Sequence, residues 1–490
     1  MSLSGFKVLY HVGRASEIVR ILAKWGFDEF LKKLDIPRVL RRNLENSEAR
    51  GLNQWQRFRK VCEDLGPVFV KLGQVLSSLP GRLPRGLTEE LKLLRDQVEP
   101  VDSAQMRREL EQELGRPIEE VFSEFDWDHV RAGSLGQIYK ARLRDSGEWV
   151  AVKIQRPGID KRMKEDLEIV AFLVKQAHEN IEVVQPYNLP SIFREARRAM
   201  LNEVDFHNEA RNAEIFNRQN PDPEHIFAPK VFGEWTTRSL LVTQWVVGDP
   251  PAKAALSHED SKRLAELGGA SVFHQVIVTG FFHSDPHGGN VLITRDKRIC
   301  LLDWGQVGII TPEMRYTLAD LFTAISQNQP DKVVEVAHRM ARGGRRAEYA
   351  RLGKEVAFIL TQAHADNRVN QEIGVVGMEL IQVFGRMGLN LPADYAMMAK
   401  AVICVEEVGR SLDPDFDIKG IAQPYIDKLL WERWNPFALA KRSLSAGYET
   451  LLNLQRLPGL MERLMHRFED NDLSVRLDFD KLDELEDTIA

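Results

Sequence analysis

Three polar residues in the stretch Phe281 to Gly305, FFHSDPHGGNVLITRDKRICLLDWG, are spaced in a way that suits phosphoryl transfer. Asp285 is followed five positions later by Asn290, and an apolar run then leads to Asp303 in a Leu-Leu-Asp-Trp-Gly turn. In such chemistry one Asp takes or orients the acceptor proton, and an Asn five residues on binds a metal ion. A second Asp, placed before a Gly, holds the metal that bridges the phosphates. The competing reading is a polar turn between a helix and a hairpin, in which Asn and Gly serve only the backbone. This stretch alone does not separate the two.

The deciding residues lie upstream. From Val130 to Gly158 the apolar period is that of strands: Ile138, Tyr139, Ala141 and Leu143 lead to a Ser146-Gly147 turn and a returning strand, Trp149 to Ile154. A small-residue loop, Ala132, Gly133, Ser134 and Gly136, precedes the two strands, and Lys153 ends a Val-Ala-Val-Lys run. Small side chains let backbone amides approach phosphate oxygens, and the lysine neutralises them. The lysine needs a carboxylate. Glu203, Asp205 and Glu209 are the candidates, on a helix expected over Ile192–Phe216; the bland reading of all three is an exposed acidic helix. Between them and Lys153, Asp160–Asn188 is helical in pattern and reads as an insertion. The apolar run Ser239–Val247 reads as a buried strand entering a hinge, where backbone groups near Gln244 and Val246 would meet an adenine.

These pieces require positioning elements. Gly66-Pro67 ends one helix and starts another through Lys71, Gly73 and Gln74; a glycine inside a helix costs roughly 1 kcal/mol, which points to close approach of a neighbour. Lys71 is otherwise an ordinary surface lysine. Thr88 is expected to cap a third helix, and Val8–Leu34 has an amphipathic helical period. A long helix over Glu259–Thr279 delivers the chain to Phe281. After Gly305 only helices are expected: Pro312–Gln327, Lys332–Gly343, a run from about Glu348 to Gly409 broken near Pro392, and more from Pro424.

Composition sets the class. The 43% hydrophobic and 28% charged fractions are those of a soluble globular chain, and the net charge of −6 argues against a nucleic-acid partner. Cys62, Cys300 and Cys404 lack metal-ligand spacing and read as reduced core residues of a cytosolic protein. No apolar run is long enough to span a bilayer. Residues 1–60 carry thirteen Lys/Arg against six Asp/Glu, a face that could meet an anionic membrane or, more blandly, pack on the protein; residues 467–490 are acidic, nine acids against three bases.

In combination the motifs resemble the UbiB (ADCK) family of atypical kinases, over roughly residues 5–490. Lys71-Leu72-Gly73-Gln74 resembles its KxGQ motif, Glu203-Val204-Asp205 its ExD motif, and Ala132-Gly133-Ser134-Leu135-Gly136-Gln137 its alanine-rich loop. His283 to Asn290 resembles HxDPHPGN, and Leu302-Asp303-Trp304-Gly305 the family's form of DFG. The resemblance implies an α+β, bilobal protein-kinase-like fold: a small antiparallel N-lobe, a large helical C-lobe and a helical N-terminal extension. Expected domains are 1–120, 121–247, 248–435 and a tail, 436–490.

The same resemblance implies roles. Lys153 contacts nucleotide phosphates and pairs with Glu209. Asn290 and Asp303 hold Mg²⁺, and Asp285 takes the base position. The loop through Gln137 covers ATP, while Lys71 and Gln74 meet the regulatory acids Glu203 and Asp205. The implied activity is Mg²⁺-dependent ATP binding and slow hydrolysis in support of ubiquinone or related prenyl-lipid biosynthesis. Anionic lipid, quinone intermediates and lipid-biosynthetic enzymes are the expected partners. A kinase with a dedicated small-molecule or protein acceptor, and a nucleotide-gated scaffold, are the alternatives. Arg131 and Gly133 stand where the family has alanines, and Gly288 where it has proline. Many bacterial members continue into a pair of transmembrane helices, whereas this sequence stops at Ala490. The expectation is a cytoplasmic, peripherally membrane-associated protein, the alternative being a native protein with C-terminal transmembrane helices that this sequence does not include.

Overall fold

A computed structural model describes residues 12–34, 51–77, 83–94, 99–341, 349–389 and 391–434. Residues up to Ile426 form one compact unit, and the chain from Asp427 a second, of which the described part is the end of a helix. The acidic tail and the first eleven residues of the basic segment lie outside the described residues.

The extension is a layer of helices: α1 (Val12–Lys24), α2 (Gln54–Leu65), α3 (Pro67–Ser77) and α4 (Arg85–Leu91). The amphipathic period expected to run to Leu34 stops after Lys24, because Gly26 takes a φ of 78° before a short helix over Asp28–Lys33. Gly66, at φ 92°, separates α2 from α3. Thr88 does not cap α4; it lies inside the helix with its hydroxyl on the Pro84 carbonyl, since Pro84 itself supplies the N-terminal turn. The helical pattern expected over Asp160–Asn188 is an α-helix only as far as Asn180, α6 (Ile159–Asn180), with a 3-10 turn over Glu182–Tyr187; α5 (Ser103–Leu114) precedes it in the chain. Together with α7 (Leu189–Val204), α6 packs against the extension in one apolar core that includes Ile18, Leu22, Val61, Leu72, Leu167 and Met200. The apolar face of α1 is therefore spent on protein.

The small lobe is a four-stranded antiparallel sheet, ordered β1 (Phe122–Ala132), β2 (Gly136–Leu143), β3 (Trp149–Gln155) and β5 (Leu240–Gln244). Its core includes Tyr139, Val150, Val152, Leu240 and Val242, with Met106 and Leu110 of α5 covering one face. In the C-lobe, β4 (Ile226–Phe227), β9 (Ile299–Leu301), β8 (Val291–Thr294) and β6 (Gly248–Asp249) make a second sheet, and β7 (Phe281–His283) pairs with β10 (Val307–Ile309). That last strand replaces the all-helical reading after Gly305; its three residues are too few to show a period. Helices α9 (His258–Phe273), α10 (Pro312–Ser326), α11 (Pro330–Met340), α12 (Tyr349–Ala365), α13 (Ile373–Arg386), α14 (Ala393–Leu412) and α15 (Ile418–Trp434) make up most of the rest of the described residues. The expected continuation of α9 to Thr279 is a π-helical turn, and Pro424 sits inside α15 instead of opening it.

Candidate functional site

Lys153 is placed by alternation along β3. Val150, Val152 and Ile154 are buried in the small-lobe core, so Ala151 and Lys153 face the other way, onto a cavity of about 340 Å³. The helix expected to run unbroken from Ile192 to Phe216 is two helices. Asp205 leaves helical geometry (φ −89°, ψ 99°) and its carboxylate accepts from the His207 N–H, which ends α7 and starts α8 (Phe206–Gln219). Glu209 consequently sits in the first turn of α8, where the helix dipole favours an acid. Its Oε2 lies 2.6 Å from Lys153 Nζ.

The polar loop is held by its histidine. His283 is buried; its Nε2 lies 2.8 Å from the Leu302 carbonyl and its Nδ1 accepts from the Asp285 N–H at 3.1 Å. Those two bonds require a neutral imidazole, and burial lowers its pKa in the same sense. The Leu302 N–H donates to the Asn290 carbonyl at 2.8 Å, so the backbones at Asn290 and Asp303 run side by side. Asn290 Nδ2 donates to the Asp285 carbonyl at 3.1 Å. Trp304, 1% exposed, anchors the turn: it stacks on Phe216 at 4.5 Å, and its carbonyl accepts from Asn212. Asp303 itself stands at φ 49° and accepts from the Gly305 N–H.

Besides Lys153, the cavity is lined by Glu209, Gln244, Val246, Asn290 and Asp303, with Ile138, Leu241 and Leu292 giving it apolar walls. Asp303 is solvent-exposed on the wall of this space. Lys153 depresses its pKa to about 2, against the partial desolvation by surrounding protein and with help from Lys71. Burial alone would lower Lys153; Glu209 and Asp303 outweigh it and hold the ammonium above the ordinary lysine range. Burial pushes Glu209 up, opposed by Lys153 and reinforced by Asp303 and Glu203. Three carboxyl groups thus share two ammonium groups, which leaves the cluster short of positive charge. Among the described residues no set of three His, Cys, Asp or Glu could hold a metal by itself. One carboxylate and one amide suit Mg²⁺, which takes few protein ligands and completes its shell with phosphates and water.

The remaining predicted residues divide. Lys71 on α3 forms an ion pair with Glu203, whose second oxygen is buried without a hydrogen-bond partner. Gln74 does not reach the acids: its Nε2 donates to the Leu94 carbonyl at 3.3 Å, and Asp205 is occupied as the cap of α8. Gly73 explains itself, since a side chain there would run into Leu94. In the small-residue loop, the Gly133 N–H donates to the Gly136 carbonyl at 2.9 Å and Ala132 pairs with Gln137 across the strands. Ser134 is buried. Gln137, expected to face the nucleotide, is fully buried on the other side, bonding Tyr139 and the backbone of Val101. The alternation of β2 turns it inward. One residue had no sequence signal at all: Lys400 of α14, whose Nζ lies 2.9 Å from Asp285 Oδ1.

Residues 93–337 match the ABC1 atypical kinase-like domain and residues 370–417 the UbiB helical domain. The chain is 30% identical over 438 residues to a probable protein kinase UbiB of Tolumonas auensis, covering 85% of this chain and 79% of that one. It is 28% identical over 517 residues to the chloroplastic protein ACTIVITY OF BC1 COMPLEX KINASE 8 of Arabidopsis thaliana, with coverage of 94% and 67%. The solved Rv3197–erythromycin complex from Mycobacterium tuberculosis aligns with a TM-score of 0.49 at 23% identity, over 72% of this chain and 90% of that one. The chain belongs to the ABC1/UbiB family of atypical kinase-like proteins.

Proposed function

We propose that this chain binds Mg²⁺-ATP between its lobes and hydrolyses it slowly, in support of ubiquinone or related isoprenoid-lipid biosynthesis at a membrane. The observation that supports this most is the Lys153–Glu209 pair facing Asn290 and Asp303 across one cavity. Lys153 neutralises phosphate charge and Glu209 fixes its ammonium. The hinge at Gln244 and Val246 borders the adenine end. Asn290 and Asp303 hold Mg²⁺, which supplies charge neutralisation at the phosphates. Asp285 orients the attacking water or hydroxyl. Among the described residues no helix is long and apolar enough to cross a membrane, so membrane contact would be peripheral for this part of the chain.

The test is phosphate release from Mg²⁺-ATP by purified protein and by Asp303→Asn, with and without anionic-lipid vesicles and a phenolic quinone-precursor analogue. Release that rises with lipid or phenol and is lost in the variant supports the reading. Measurable nucleotide binding with no release above the variant under any condition overturns the hydrolytic part.

A further inference from the structure

The loop that carries Asp285 contains no cation. From His283 to Thr294 there is neither lysine nor arginine, and Arg295 is the first. His287, two residues after Asp285, turns back on its own loop and accepts from the Gly289 N–H at 3.0 Å. Asp285 therefore has no positive partner of its own. Lys153 is committed to Glu209 and Lys71 to Glu203. The positive charge comes from elsewhere in the chain. Lys400 reaches Asp285 Oδ1 at 2.9 Å from α14, inside the segment that matches the UbiB helical domain.

The position of α14 is fixed at several points along its length. Asp394 accepts from the Ile309 N–H of β10 at 3.4 Å, and Glu406 accepts from the Gly374 N–H at 3.0 Å. Val405, Val408 and Leu412 line an apolar gap together with Pro286, next to Asp285, and Val291 of β8. A helix held in this way presents Lys400 to the loop at a defined height, with the side chain about one third exposed.

We propose that Lys400 is the positioning residue of the phosphoryl-transfer site, supplied by the C-terminal helical domain to hold Asp285 and compensate its charge beside a triphosphate. The proposal rests on the nucleotide reading above. On that reading the γ-phosphate is the group that approaches Asp285, so an uncompensated carboxylate would repel it, whereas a diphosphate would end before reaching it. The role is thus visible as discrimination between ligands without any turnover.

The experiment measures affinity for Mg²⁺-ATPγS and Mg²⁺-ADP by calorimetry in wild type, Lys400→Met, Lys400→Arg, Asp285→Asn and the Asp285→Asn/Lys400→Met double variant, with thermal unfolding alongside. Lys400→Met should weaken ATPγS on the order of ten-fold with ADP unchanged, and Lys400→Arg should keep most of the affinity. The double variant should regain ATPγS affinity, because an uncharged amide in place of the Asp285 carboxylate needs no counter-charge. Parallel loss of both nucleotides, or a double variant no better than Lys400→Met, would overturn the proposal and leave the nucleotide reading intact. Failure of the wild type to bind either nucleotide would overturn both.

Discussion

Arg14 and Asp166, 152 residues apart, form a two-point ion pair: Arg14 Nε and Nη2 meet the two Asp166 oxygens at 2.7 and 3.0 Å. The second nitrogen also donates to the Leu65 carbonyl, so one guanidinium joins α1, α2 and α6. Asp166 is 1% exposed. Arg14→Ala leaves that carboxylate buried without its partner and should cost roughly 3 kcal/mol in urea denaturation. Arg14→Met combined with Asp166→Asn should recover most of the loss, since the damage comes from the orphaned charge.

Lys71 and Glu203 form the second long-range tie of the extension, and Lys71 also helps to depress Asp303. Lys71→Ala should destabilise the protein more than Lys71→Ala/Glu203→Gln does. Thermal unfolding of the two singles and the double measures the coupling. Equal, additive losses would mean that the pair contributes only through packing.

Gly136 lies where a Cβ would sit 2.6 Å from the Ile154 carbonyl of the neighbouring strand. That atom is backbone and cannot swing away. Gly136→Ala should therefore cost about 1–3 kcal/mol and weaken nucleotide binding, because β2 has to shift at the base of the loop. Gly133→Ala, whose nearest neighbour would be at 3.5 Å, should be close to neutral in stability.

Glu406 gives a pH dependence with a defined sign. It is 1% exposed, and burial raises its carboxyl to about 7, with Gly374 and Arg410 opposing. Its folded-state value is above the unfolded one, so the native state keeps the proton that the unfolded chain releases first. Stability from this group is full below the ordinary carboxyl range and is lost as pH rises towards about 7. Glu406→Gln should thus gain on the order of 2 kcal/mol over wild type at pH 8 and little at pH 4.5, read by urea denaturation.

The Asp285, Asn290 and Asp303 spacing and the Val-Ala-Val-Lys strand were legible because each binds local sequence to local geometry. A strand period decides which way Lys153 faces, and a six-residue loop decides how far Asn290 stands from Asp285. Strand β1 was missed although Phe125 and Trp127 alternate with Glu124, Asp126 and Asp128, because register shifts after Phe122 and after Asp126 interrupt the period at both ends of that short run. The break at Asp205 was missed because Met200 and Val204 before it and Phe206 and Ala210 after it each keep helical spacing, and only the carboxylate on the His207 N–H ends the helix. Lys400 was illegible in principle. It follows Asp285 by 115 residues, on a helix where a lysine has no distinguishing neighbour.

The clasp of α14 also bears on where the kinase-like part of the chain ends. The ABC1 match stops at residue 337, yet Leu412 packs against the core built on Trp304 and Phe216, and Val405 and Val408 close the space beside Val291. A recognisable sequence domain and a cooperative folding unit are then different objects in this protein. Cutting at the former would open the floor of the latter, so the C-lobe strands and α14 should unfold together.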